Sequence, residues 1–331
     1  MRSIIQVGVG GMGAVWADCV VQSKDWEPTA YVDINKKNLV AAAARHRMPK
    51  ARCFTNLEKA LRTVEADALL DVTPQEARKK VCCAAFDHGL DVLAEKPLAG
   101  SVADATAIIQ HAANQGRTFL VAQNYRYQSA PQTARKWIAS GRLGPLGYIG
   151  VQFHRGPRFG GFRDKMDQPL VLDMTIHHLD LMRYLLGADI VAVQALTANP
   201  PWSWYKGDAT AMILIEMDNG AVVNYLGSWV SRGWETSWNA DWRVEGGNGV
   251  LLWENDTLSF SDRPGTKRKV RLRTMQKQHQ ACLLDAFARA LDTGSEPETS
   301  GARNLNGFAA THAVVRAARE KRRVEVAELT E

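Results

Sequence analysis

A chain of 331 residues is long for one hydrophobic core, which predicts two domains. Its 46% hydrophobic and 23% charged residues are those of an ordinary soluble globular protein. The +6 formal charge is scattered, without the basic patch and interleaved aromatics of a nucleic-acid binder, and no apolar run approaches the roughly 18 residues of a membrane helix.

The chain opens MRSIIQVGVGG, straight into a strand pattern. Its five cysteines (Cys19, Cys53, Cys82, Cys83 and Cys282) form no CxxC and no even set, so reduced thiols are expected and neither disulfides nor a zinc site. The expected location is the cytoplasm. Strand-like runs at Ile4–Gly8, Thr29–Asp33, Cys53–Thr55, Ala68–Val72, Val92–Ala94 and Phe119–Ala122 alternate with amphipathic stretches at Leu39–His46, Glu76–His88 and Val102–Gln115. That alternation predicts βαβ units and a parallel sheet covered on both faces.

VGVGGMG places Gly8-x-Gly10-x-x-Gly13, with Gly11 and Met12 between, directly after the first strand. The glycines serve a tight turn, close approach to a pyrophosphate and helix–strand packing, while the helix N-terminus offers N–H groups to phosphate. Asp33, ending the second strand, is placed to accept ribose hydroxyls and to repel a 2′-phosphate, so NAD is expected. Lys36 and Lys37 soften that preference and keep NADP in second place. Thr73-Pro74 and Glu95-Lys96-Pro97 fall at C-terminal strand ends, where ligands bind in such sheets. The plain alternative for Lys96 is a surface lysine.

From about residue 123 the texture changes. A helix over Ser129–Ser140 stops at Gly141. Strands are predicted at Tyr148–His154, Val191–Thr197, Ala209–Met217, Ala221–Val230, Trp242–Val244, Gly249–Trp253 and Val270–Leu272, with a hairpin turn at Asp218-Asn219-Gly220. Helices are predicted at Leu172–Leu186, Gln278–Leu291 and Ala302–Lys321, the last two suited to packing back on the first domain. The division is thus 1–122 for the cofactor and 123–331 for substrate and oligomerisation. The basic run Lys267–Arg273 reads as a solvated strand edge.

Gly8/Gly10/Gly13, Asp33, Thr73-Pro74, Glu95-Lys96-Pro97, Asn124-x-Arg126-Tyr127 and Asp173-x3-His177-x2-Asp180 occur in the order and spacing of the glucose–fructose oxidoreductase/inositol dehydrogenase/rhizopine-catabolism (Gfo/Idh/MocA) family, which the chain resembles over nearly its whole length. The resemblance implies an α/β Rossmann domain followed by an α+β domain with an open-faced, mainly antiparallel sheet. It implies homodimers or homotetramers formed through that sheet, and a substrate that is a sugar, inositol or glycoside. It makes Lys96, Asp173 and His177 catalytic, adds Glu95 and Asn124 to the cofactor contacts, and puts Arg126 and Tyr127 against substrate. The chain departs from the pattern twice. Many relatives carry a histidine in the helix after Thr-Pro, where this chain reads Gln75-Glu76-Ala77-Arg78. Many carry glycines before the aspartate, where it reads Gln168-Pro169-Leu170-Val171.

On a single helix over Leu172–Leu186, residues 173, 177 and 180 share one face and His178 is turned about 100° away. His177 is therefore the expected general base, Asp173 its orienting partner, Lys96 the alkoxide stabiliser and proton relay, and Asp180 a structural partner. A metal site lacks a third ligand. Seven of the ten tryptophans lie between residues 202 and 253. They suit either a pyranose platform, with Trp234 in contact, or the filling of a sheet or subunit interface. His154 and Arg163, in or beside the loop after a strand, complete the expected substrate contacts. The reaction expected is hydride transfer between a secondary hydroxyl and nicotinamide. A redox-neutral glycosidase or epimerase-like cycle in the same site is the alternative, and a non-catalytic sugar or nucleotide sensor a third reading.

Overall fold

Strand and helix alternate through the first 124 residues of the computed structural model, which describes residues 1–330. Six strands are β1 (Arg2–Val7), β2 (Trp26–Val32), β3 (Cys53–Phe54), β4 (Ala68–Asp71), β5 (Asp91–Ala94) and β6 (Phe119–Val121). The helices between them are α1 (Met12–Val21), α2 (Lys36–His46), α3 (Leu57–Thr63), α4 (Gln75–Asp87) and α5 (Val102–Asn114). All pairings are parallel and the order is β3-β2-β1-β4-β5-β6, so the direction of winding reverses between β1 and β4. A crevice at the C-terminal strand ends of such a reversal is where dinucleotides bind. Ile4, Ile5, Leu69, Leu70, Val92 and Leu93 are fully buried, as strands covered on both faces require.

The chain divides into two compact units, Met1–Asn124 with Lys277–Leu305, and Tyr125–Gln276 with Asn306–Glu331. Helix α8 (Gln280–Thr293) thus belongs with the parallel sheet. Trp26 explains why. Its ring stacks on Phe287 at 5.0 Å and its indole N–H donates to the Leu284 carbonyl at 2.9 Å, so an aromatic in β2 is buried by residues some 260 positions later.

The second unit begins with α6 (Ser129–Ala139) and β7 (Leu146–His154). After α7 (Ile176–Leu186) come β8 (Ile190–Ala198), β9 (Thr210–Met217), β10 (Val222–Ser228), β11 (Asp241–Gly246), β12 (Gly249–Glu254), β13 (Thr257–Ser261) and β14 (Arg268–Val270). Helix α9 (Gly301–Glu320) leads to β15 (Val324–Glu325). The nine strands form one sheet, ordered β14-β13-β12-β11-β7-β10-β9-β8-β15, antiparallel except for β7 beside β10. The β9–β10 hairpin turns at Gly220, whose φ of 82° a side chain would resist. Ala211, Ile213, Ile215 and Met217 of β9 are buried, while Met212 and Leu214 between them are more than half exposed. The other face of the sheet is therefore open. The basic run contains β14, at the edge of the sheet, and continues past it.

Candidate active site

In the first unit, β1 delivers the glycine loop. Gly8 has φ +85°, and a Cβ there would lie 2.6 Å from the Val72 carbonyl oxygen. A Cβ on Gly13 would lie 2.3 Å from the Gly8 carbonyl oxygen, so loop and helix touch backbone to backbone. Helix α1 starts from Gly11 without a side-chain cap, and nothing lies within 4 Å of where a Gly11 Cβ would stand. An uncapped helix start behind an open glycine fits a pyrophosphate. Met12 beside it is half exposed.

Beneath the loop, the fully buried Gln6 donates through Nε2 to the carbonyls of Gly8 (2.9 Å) and Gly13 (2.6 Å). The sequence reading missed this residue, whose one signal is an amide inside an otherwise apolar strand. Asp33 accepts from the Val9 N–H (3.0 Å), the Asn35 N–H (2.8 Å) and Asn38 Nδ2 (3.0 Å). Three of its roughly four acceptor directions are thus occupied, and Asn38, also unforeseen, is the side chain a Gly10 Cβ would strike.

Thr73 turns inward, giving its N–H and O–H to Asp71 Oδ1 at 2.8 and 2.6 Å. Pro74 precedes α4 as its N-cap residue. Glu95 spends its carboxylate on the Trp16 indole (2.7 Å) and the Lys96 N–H (3.0 Å), so it acts on the loop from within. Lys96 is half-buried at a cis bond to Pro97. Asn124 opens a 3-10 turn over Asn124–Arg126.

In the second unit, the single helix expected over Leu172–Leu186 is two structures. Leu170–Thr175 is a π-helical turn and α7 begins at Ile176. His177 and Asp180 lie together in α7, and Asp173 lies in the π turn that leads into it. Asp173 Oδ2 lies 2.5 Å from Arg163 Nε, and the Arg163 guanidinium sits over the rings of Phe159 (5.0 Å) and Phe162 (4.7 Å). His177 is 6% exposed and stacks on Tyr125 with ring centroids 4.2 Å apart. Tyr125 was not foreseen. Its phenol is pushed up by burial and then by the Asp173 charge, so it stays protonated.

Arg126 is used differently from the expected substrate contact. It is 5% exposed, and its Nε and Nη2 reach the two oxygens of buried Asp180 at 2.7 and 2.6 Å. A guanidinium facing a buried carboxylate in this bidentate way belongs to the interior. Tyr127 and His154 are half-buried, the backbone of His154 being tied to Thr236. Trp234 is 94% exposed. Trp229, Trp242 and Trp253 are buried, and the last two stack at 5.9 Å, so this part of the tryptophan cluster fills the sheet.

His178 is the other histidine's opposite. It is fully buried, with Nε2 3.1 Å from the Trp238 carbonyl and Nδ1 3.1 Å from the Tyr225 hydroxyl. A carbonyl only accepts, so Nε2 carries the proton and Nδ1 takes that of Tyr225. Burial pushes its pKa down to about 4. Between pH 6.5 and 4 the unfolded chain then binds a proton at this site that the folded chain refuses. Stability from His178 is present in full above about pH 6.5 and falls as the pH drops toward 4, by about 3 kcal/mol. His279 and His312 shift in the same direction, so wild type and His178→Asn should be compared by urea unfolding at pH 7.5, 6 and 5. The variant should lose less stability across that range. Parallel pH slopes would remove His178 from the account.

Among the described residues no helix is long and apolar enough to cross a membrane.

Two family models match. Residues 2–123 fit the oxidoreductase family with an NAD-binding Rossmann fold, and residues 132–252 fit the GFO/IDH/MocA C-terminal domain. An inositol 2-dehydrogenase of Corynebacterium glutamicum is 26% identical over 68% of this chain and 67% of its own. A D-apiose dehydrogenase of Rhizobium rhizogenes is 28% identical over 72% of this chain and 73% of its own. The fold is that of an oxidoreductase from Agrobacterium radiobacter solved with NAD+, L-tartaric acid and magnesium, at 21% identity, TM-score 0.91 and 99% coverage of both chains. Glycine loop, Asp33 and both matched domains agree: the chain belongs to the GFO/IDH/MocA oxidoreductases, NAD-binding dehydrogenases of CH–OH groups.

Proposed function

We propose that this protein oxidises a secondary ring hydroxyl of a sugar, inositol or glycoside, or runs the reverse reduction, with His177 as general base. The observation that carries the reading is the state of His177. It is a nearly buried imidazole, fixed face to face on Tyr125 at 4.2 Å, at the start of α7 and just after the turn that bears Asp173. An imidazole titrates near neutral pH, which suits proton removal from an alcohol. NAD, when bound, supplies the hydride acceptor. His177 takes the hydroxyl proton. Lys96 stabilises the developing alkoxide and passes protons on. Asp173, tied to Arg163, orients the imidazole or holds a neighbouring hydroxyl. Arg163, Tyr127, His154 and Trp234 are the remaining substrate contacts in this reading. The relatives named for inositol and D-apiose support a polyol or sugar substrate. Purified protein mixed with NAD and a panel of inositols, aldoses, sugar acids and glycosides should give NADH absorbance with a member of the panel. Sugar released from a glycoside without net NADH would replace this reading by the redox-neutral cycle.

The open sheet face supports a homo-oligomer. Leu196, Met212, Leu214 and Val222 are all at least half exposed on neighbouring strands, with Tyr148 beside Val222. Apolar side chains grouped this way mark an interface. Met212→Glu with Leu214→Glu should shift the mass seen by light scattering from a dimer or tetramer to a monomer. An unchanged mass would put the interface elsewhere.

A further inference from the structure

The first unit buries two charges that the reaction does not use. Asp71, the last residue of β4, is 0% exposed and Arg78, in the first turn of α4, is 1% exposed. Arg78 Nε lies 3.1 Å from Asp71 Oδ2. Its other two nitrogens do not go to Asp71. Nη2 donates to the Thr73 carbonyl at 2.8 Å and Nη1 donates to the Glu95 carbonyl. Thr73 and Glu95 follow two neighbouring strands, β4 and β5, and each lies in a loop assigned to the cofactor. The Glu95 carboxylate is pinned separately by Trp16 and holds the Lys96 N–H. Cys82 completes the shell, with Sγ 3.6 Å from Asp71 Oδ2; burial first and Asp71 second push its thiol up, so it adds no charge.

We propose that Arg78 is a positioning residue for the nicotinamide half of the cofactor. Neutralising Asp71 takes one edge of a guanidinium. This one aims its remaining donors at two loop carbonyls on consecutive strands, which fixes the spacing of the Thr73-Pro74 and Glu95-Lys96 loops. The planar fork is what allows this, since an ammonium cannot reach two carbonyls in fixed directions while keeping its charge against Asp71. The adenosine half, built from Gly8 to Gly13 and Asp33, lies on the other side of the reversal between β1 and β4 and is held by Gln6 and Asn38 instead. The two halves of the site are therefore set by different buried side chains. The inference rests on the assignment of these loops to the cofactor. It extends to catalysis only through the proposed role of Lys96.

The test uses the intact protein with no sugar present, so it stands whether or not a polyol is oxidised. Dissociation constants for NADH and for ADP-ribose, which lacks the nicotinamide, are measured for wild type, Arg78→Lys and the pair Asp71→Asn with Arg78→Met. The emission of bound NADH is recorded alongside. Arg78→Lys keeps a cation beside Asp71, and the pair leaves no buried charge behind, so both avoid the fold loss expected of Arg78→Met alone. ADP-ribose should bind both variants within about twofold of wild type. NADH should weaken by about tenfold or more, the value of a lost charge-assisted hydrogen bond, with the emission moving toward that of free NADH. Equal weakening of both ligands, or no weakening of either, overturns the proposal. So does a double variant restored to wild-type NADH affinity, because Arg78 would then serve only to neutralise Asp71.

Discussion

His177→Asn should lower kcat by about 10²- to 10⁴-fold, the range for removing a general base, with the NADH dissociation constant unchanged. Asparagine keeps a planar polar group near Tyr125 but has no titratable nitrogen. The rate should therefore fall through the chemical step, and kcat/KM should fall with kcat if the lost interaction is made only in the transition state. The same substitution should flatten the acid limb of the kcat/KM profile, because that limb reports the base of the free enzyme. His178→Asn is the control. His178 is committed to Trp238 and Tyr225, so it should keep the wild-type pH profile while losing stability. A His177→Asn enzyme with a rate within about threefold of wild type would leave the base unassigned. A His178→Asn enzyme with an altered acid limb would reverse the roles of the two histidines.

The parts legible in the sequence were those with a local signal. Glycine spacing after a strand, an acidic residue at the next strand end and alternation of short apolar runs each depend on residues close together in the chain. That His177 and Asp180 share a face of one helix, with His178 turned away, was also legible, because all three lie within α7. The π turn was not, since LVLDMT carries the same apolar pattern in an α or a π turn and the choice is made by packing. Strands β13 and β15 were missed for different reasons. Thr257–Ser261 is short and half polar, and Val324–Glu325 is a strand only because β8 lies beside it. Gln6, Asn38, Arg78 and Tyr125 share one property. Each is ordinary in its own segment and acquires its role from a hydrogen bond or stack that the fold creates, within a turn for Gln6 and Asn38 and with another element for Arg78 and Tyr125, which no local period records. Arg126 shows the converse. A family pattern pointed to substrate, while the partner that settles its interior surroundings lies 54 residues on, at Asp180.

Arg126→Met should destabilise the protein by about 3–5 kcal/mol, the cost of leaving one member of a buried ion pair without its partner. Asp180 is 1% exposed and both its oxygens face the Arg126 guanidinium, so no solvent is available to replace it. Replacing both, with Arg126→Met and Asp180→Leu, removes the stranded charge and should recover most of that loss, since apolar side chains of similar size often substitute for a buried pair at little cost. Urea unfolding of the two single variants and the double completes the cycle. The pair also bears on catalysis. Arg126 follows Tyr125, and Asp180 lies one turn beyond His177, so the ion pair and the ring stack join the same two segments at adjacent points. The double variant should fold with a reduced kcat and little change in KM, because the stack is held from one side only. A substrate contact would behave otherwise. KM would then rise in Arg126→Met with stability within about 1 kcal/mol of wild type, and that result would return Arg126 to the substrate.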